Sequence, residues 1–339
     1  MSKPLPRFLS FAAPLLTSFL ETRERFGYVR NPAMIHHLRD LDYYLVFRGI
    51  SRLEEINTVL IANWVFAIPS HSAVTKNNKL SVARSLLRYL VRVGKMKSNP
   101  AESIPYLKAR PRRPHIYTLQ ELGALIRQAQ KWQLRPTHRF VGHVMEMLVR
   151  LLYACGLRLG EALRLKIDDI DFAEETLSLW NTKFHKERVL PFSKDLRKSL
   201  ERYLAVRNKR YPLPDHQGSY VFRHRHGRYG RHAIEDSFRR LLAACDISAI
   251  NSGRSPRLHD LRHSFAVDRL YKWYQQGHDP MAKLPLLSTY MGHVSVENTQ
   301  VYLAATRALL REGNRRFREH SECIPQQFIR LALKKRGNR

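Results

Sequence analysis

The sequence predicts a mainly α protein of two domains with one small antiparallel β-sheet. At 339 residues the chain exceeds the ~100–200 residues of a typical single domain. Its 44% apolar and 10% aromatic content is enough to build packed cores and excludes a disordered or collagen-like chain. Most apolar residues recur at helical spacing, and one internal stretch alternates as strands do.

Met34, Leu38, Leu41 and Leu45 fall at i, i+4, i+7 and i+11, and Leu80, Leu87, Leu90 and Val91 repeat the pattern, so residues 1–95 are expected to form a helical domain. Residues 96–117 carry Pro100, Pro105, Pro111 and Pro114 among Lys108, Arg110, Arg112 and Arg113. Prolines at that density prevent a continuous helix, which predicts a basic, extended linker. The second domain, 118–319, opens at Thr118, with Glu121 placed three residues on to complete a capping box. An apolar helix is expected from about Val141 to Ala154, broken at Gly156, with helical spacing resuming over Leu157 to Leu165. Between Ile167 and Leu190 the apolar residues Ile170, Phe172, Leu177, Leu179 and Trp180 are interleaved with acids and threonine, as in a small antiparallel sheet. Helical patterns then return, and a basic tail, 320–339, closes the chain.

Charge speaks to partners. Lys and Arg outnumber Asp and Glu 59 to 29, a net charge of +30, which calls for a polyanion: nucleic acid or an anionic membrane surface. Residues 1–112 carry 18 basic and 7 acidic side chains, so the excess is shared by both halves rather than confined to a tail. The longest apolar stretch, Val59 to Ile68, is far short of the ~20 residues of a membrane span, and the N-terminus lacks the pattern of a signal peptide. Cys155, Cys245 and Cys323 form neither a disulfide framework nor a zinc pair. A cytoplasmic, nucleoid-associated protein with no membrane partner, no metal and no cofactor is expected.

Four segments hold residue types that suit one phosphate. In Gly156-Leu-Arg158-Leu-Gly-Glu161 an arginine follows a helix break, where its fork can address phosphate oxygens, and Glu161 can hold it from behind. Alone, this reads first as a surface Arg–Glu pair on an amphipathic helix. In Asn181-Thr-Lys183-Phe-His-Lys186-Glu-Arg188 strand-like flanks suggest a hairpin with Lys183 at its tip, or a solvated basic turn. In His259-Asp-Leu-Arg262 the spacing of three sets both side chains on one helix face. In Gly292-His293 the glycine breaks a helix, and Tyr302 lies about two turns into the next. A lone tyrosine there is more often a core residue.

Taken together and in this order, the four segments resemble the catalytic domain of the tyrosine recombinases, the phage integrase family, over about residues 115–305. The resemblance matches Arg158 to the family's first arginine and Glu161 to the acidic residue that supports it. Lys183 matches the hairpin lysine, His259 and Arg262 the His-x-x-Arg pair, His293 the histidine of the Leu-Gly-His box, and Tyr302 the nucleophile. Family hairpins often flank the lysine with glycines, whereas Lys183 lies between Thr182 and Phe184, which leaves Lys186 as the alternative. The helical first half resembles the family's core-binding domain in architecture only.

The resemblance implies a site-specific recombinase, acting for integration, excision or transposition, in which the Tyr302 hydroxyl attacks a DNA phosphodiester and leaves a 3′-phosphotyrosyl link. Arg158 and Arg262 would match the charge on the phosphate oxygens, with Lys183 as general acid. His259 would accept the tyrosine proton or assist otherwise, and His293 would hydrogen-bond a phosphate oxygen; the sequence leaves these two roles open. Arg110, Arg112, Arg113, Lys186, Arg188, Arg223, Arg225, Arg228 and Arg231 are expected to hold the double-stranded DNA. A homo-tetramer on paired sites is expected, with accessory recombinases or directionality factors as further partners. A type IB topoisomerase and a non-catalytic DNA-binding relative are the alternatives.

Overall fold

In the computed structural model, residues 6–109, 114–137, 139–180, 187–213, 218–248 and 255–292 are described. The chain divides into two compact units, Met1–Pro111 and Arg112–Arg339.

Four α-helices build the described part of the first unit: α1 (Ala13–Arg25), α2 (Pro32–Phe47), α3 (Thr58–Phe66) and α4 (Ala73–Arg92). The side chains of Asn31, Asn57 and Ser72 cap α2, α3 and α4, each accepting an otherwise orphaned amide of the first turn. The helical stripe expected over Met34 to Leu45 is the inner face of α2, where Leu38, Leu41 and Leu45 are buried against Leu16, Ile61, Trp64 and Leu87. Buried Asp42 on α2 accepts the amides of Leu9 (2.7 Å) and Ser10 (3.0 Å) and the Ser10 hydroxyl. Three donors offset the cost of burying that carboxylate and tie the entry to α1 onto α2. Lys79, also buried, pairs with Asp40 at 2.8 Å and donates to the Trp64 carbonyl at 2.9 Å.

The stretch expected to be a 22-residue linker is shorter and more tightly held than its prolines suggest. Ala101 and Ile104 are buried in the core of the first unit. Arg84 donates to the carbonyls of Ala101, Glu102 and Ile104, and Asn77 exchanges two 2.8 Å hydrogen bonds with Leu107. Proline-broken backbone cannot satisfy its carbonyls internally, so side chains of α4 do so. At the other end, Tyr117 is buried in the second unit and its amide donates to the Ser264 hydroxyl at 2.8 Å.

The capping box expected at Thr118 is present. Thr118 and Glu121 form a capping box at the head of α5 (Leu119–Gln133). Helix α6 (Arg139–Cys155) runs through the middle of the core, with Val144, Met145, Leu148, Leu151 and Leu152 buried. It ends at Gly156, and the short α7 (Leu159–Arg164) follows. Strands β1 (Ile170–Asp171), β2 (Thr176–Leu179) and β3 (Arg188–Pro191) form the antiparallel sheet in the order β1-β2-β3, with Leu177 opposite Leu190 and Leu179 opposite Arg188. Helix α8 (Lys194–Arg210), the small hairpin β4 (Arg223–His224) and β5 (Gly227–Arg228), and α9 (Arg231–Ala243) come next. Helices α10 (Leu258–Gln275) and α11 (Pro280–Met291) follow, and Gly292 caps α11 in the left-handed conformation.

Candidate active site

The site starts with a glycine. Gly156 holds φ +59°, and a Cβ there would stand 2.4 Å from the Phe265 ring, so both backbone and space demand glycine. The reversal delivers Arg158, in extended conformation, to the head of α7. Glu161, three residues on, accepts the Arg158 amide through Oε2 (2.9 Å) and its Nη1 through Oε1 (2.8 Å). The acidic residue therefore supports the arginine from behind, as its position three residues away suggests.

The same carboxylate serves other elements. Arg188, the first residue of β3, donates Nη2 to Oε2 at 2.8 Å and Nη1 to Oε1 at 3.3 Å, and Arg262 Nη1 of α10 stands 4.0 Å from Oε2. Burial by itself would push the Glu161 carboxyl up. The fork of Arg188 and the two donors of Arg158 outweigh it and hold its pKa at about 2, so the group is a carboxylate at neutral pH.

Arg262 is 1% exposed. It donates Nη1 to the Gly156 carbonyl and Nη2 to the Met291 carbonyl, both at 2.6 Å, while Arg158 Nη2 donates to the Gly292 carbonyl at 2.8 Å. The α6–α7 turn, α10 and the end of α11 are thus drawn to one locus, in which Arg158, 24% exposed, is the more open of the two arginines. On the same helix as Arg262, His259 meets His263 edge-on at 4.8 Å between ring centroids. Burial, reinforced by His263, Arg262 and Arg257 and opposed by Asp260, lowers its pKa to about 4. His259 is accordingly a neutral imidazole at pH 7. Asp260, the next residue, is fully buried and accepts the Arg257 amide (2.9 Å) and Nη2 (3.1 Å).

Of the expected site residues, the structure brings together the catalytic Arg158 and Arg262 and the supporting Glu161, with His259 one turn from Arg262. Lys183, its alternative Lys186, His293 and Tyr302 lie outside the described residues, as do Arg110, Arg112 and Arg113. The expected DNA contacts divide. Arg225, Arg228 and Arg231 are exposed, and Arg231 pairs with Glu235 at the start of α9. Arg223 is buried and directs Nη1 to the Tyr211 carbonyl at 3.4 Å. Arg188 points inward to Glu161 with its side chain 9% exposed, a placement at odds with its expected contact to DNA. The signal for this was present: strand alternation puts Arg188 on the same face as Leu190, which is buried. Among the described residues, no group of three or more His, Cys, Asp or Glu is placed to hold a metal ion, and no helix is long and apolar enough to cross a membrane.

The sequence model of the phage integrase family matches residues 121–308, a span that contains every segment of this cluster. The chain belongs to the phage integrase family, the tyrosine-type site-specific recombinases. A family protein from Sinorhizobium fredii, a putative integrase/recombinase, is 31% identical over 290 residues, covering 84% of this chain and 91% of that protein. The tyrosine recombinase XerD of Listeria innocua is 27% identical over 286 residues, 82% of this chain and 90% of XerD. Two solved family structures share the fold. The XerH site-specific recombinase bound to a palindromic difH substrate superposes with a TM-score of 0.62 at 18% identity, covering 93% of this chain and 99% of that one. The Tn1549 transposon integrase in complex with a circular intermediate DNA gives 0.62 at 17% identity, covering 89% and 99%.

Proposed function

We propose that this recombinase serves a mobile element, cutting and rejoining double-stranded DNA at specific sites through a covalent link to Tyr302. The observation that carries the reading is the Glu161 cluster, which holds two arginines of distant sequence, Arg158 and Arg262, at one locus. In the reaction the Tyr302 oxygen forms a bond to phosphorus as the bond from phosphorus to the 5′-oxygen breaks. The phenolic proton passes to a base, the role assigned to His259 by its place beside Arg262, and Lys183 protonates the departing 5′-oxygen. Charge gathering on the non-bridging oxygens is met by guanidinium donors, with His293 as a further donor. The phosphotyrosyl bond conserves the energy of the broken diester, so a 5′-hydroxyl from another duplex can reverse the step.

Strand exchange between two duplexes needs a protomer for each of four strands, so the working assembly is a tetramer on paired sites, in the cytoplasm, with accessory recombinases or directionality factors as partners. Residues 1–95, with the stretch to Leu107 that packs on them, serve as the core-binding domain and 118–319 as the catalytic domain. Arg110, Arg112, Arg113 and Lys186 join the exposed Arg225, Arg228 and Arg231 in gripping phosphates.

Covalent capture tests the reading. The protein and Tyr302→Phe are incubated with sheared genomic DNA of the source strain and denatured, and protein-linked ends are sequenced. A recurrent end attached only by the unaltered protein is expected. Equal adducts with Tyr302→Phe would remove the nucleophile assignment, and adducts that relax a two-site plasmid without joining its sites would favour a topoisomerase.

A further inference from the structure

Among the described residues, Arg158 and Arg188 donate directly to Glu161, and of these two Arg158 belongs to the expected catalytic set. Arg188 engages the carboxylate with both terminal nitrogens, while its Nε is buried without a hydrogen-bond partner among the described residues. Among the described residues, its hydrogen bonds are those of the fork, and they go to Glu161. Its guanidinium also lies against Gly292: a Cβ on that glycine would stand 2.8 Å from Arg188 Nη1. Gly292 in turn supplies the carbonyl that receives Arg158 Nη2. Arg188 thus touches both anchors of Arg158, the Glu161 carboxylate and the Gly292 turn, from the first residue of β3.

We propose that Arg188 is a positioning residue for the recombination reaction, fixing the aim of Arg158 through Glu161 and Gly292, and is not a DNA contact. The inference rests on the proposed cleavage chemistry at Arg158. A carboxylate shared by two guanidinium groups has its oxygens fixed in plane, so Arg158 is left with one orientation rather than several. Lysine in place of Arg188 keeps the charge and loses the planar fork; methionine keeps much of the volume and loses both.

The test uses the full-length protein, with Arg188→Lys, Arg188→Met, Glu161→Gln and the Arg188→Met/Glu161→Gln double variant. Affinity for a short duplex of mixed sequence is measured across a range of salt, and the rate of adduct formation is followed on sheared genomic DNA of the source strain. Expected for Arg188→Met are an unchanged affinity and salt slope and an adduct rate about 100-fold lower, with Arg188→Lys in between. The double variant loses no more than the worse single, because both act on one element. A salt slope lower by about 0.9 makes Arg188 a phosphate contact and overturns the proposal, as do additive losses in the double variant. If the unaltered protein forms adducts and both Arg188 variants match it, the positioning role alone falls. If the unaltered protein forms none, the cleavage chemistry fails and the role of Arg188 falls with it.

Discussion

His259 and His263 meet edge-on, ring planes at 87° and centroids 4.8 Å apart, one turn from each other on α10. Burial and the surrounding positive charge leave His259 with a pKa of about 4, well below the ~6.5 of an exposed imidazole. The unfolded chain therefore takes up this proton first, so its stability contribution is intact above about pH 6.5 and is lost as pH falls toward 4. Urea unfolding of the protein at pH 7 and pH 5 should differ by about 2 kcal/mol on this account, and most of that difference should vanish in His259→Gln. An equal pH dependence in the variant would mean that other groups carry it.

Gly156 joins two demands that no other residue satisfies together, a left-handed backbone and contact with Phe265. In Gly156→Ala, the conformation costs about 1–2 kcal/mol, and the added methyl, 2.4 Å from the Phe265 ring, costs about 1–3 kcal/mol more in displaced packing. The carbonyl that receives Arg262 shifts with the turn, so adduct formation should fall along with stability. Gly230→Ala is the control, with an ordinary φ of −74° and open space around it; as the N-cap of α9 it should lose no more than about 1 kcal/mol. A Gly156→Ala protein as stable as Gly230→Ala would show that Phe265 gives way freely.

Sequence reasoning succeeds here where a local rule decides the outcome. The capping box at Thr118 and Glu121, the helix break at Gly156 and the pairing of Arg158 with Glu161 each depend on residues within one turn of each other, and all stand as expected. It fails where a side chain's partner is remote. Arg84 satisfies carbonyls of a proline-rich stretch that looks like a free linker. Arg188 looks like part of a charged hairpin tip until Glu161, on a different element, turns it inward. Arg262 is the mixed case: the spacing from His259 gives its helix face, but its acceptors, the carbonyls of Gly156 and Met291, are visible only in the assembled fold.

The β4–β5 hairpin separates two kinds of arginine that its basic sequence makes look alike. Arg225 and Arg228, with Arg231 at the start of α9, are exposed, whereas Arg223 is buried and braces the Tyr211 carbonyl. If the exposed three neutralise phosphates, alanine at each should weaken duplex binding and lower the dependence of log affinity on log salt by about 0.9, with little effect on urea unfolding. Arg223→Ala should do the reverse, since removing it leaves a cavity and loses a charge-assisted hydrogen bond worth roughly 1.5–3 kcal/mol, while the salt slope stays as it was. Binding and unfolding measured on the four variants give the answer directly. A slope unchanged in Arg225→Ala, Arg228→Ala and Arg231→Ala would move the DNA path away from this hairpin, and a reduced slope in stable Arg223→Ala would mean that its side chain turns outward to reach the duplex.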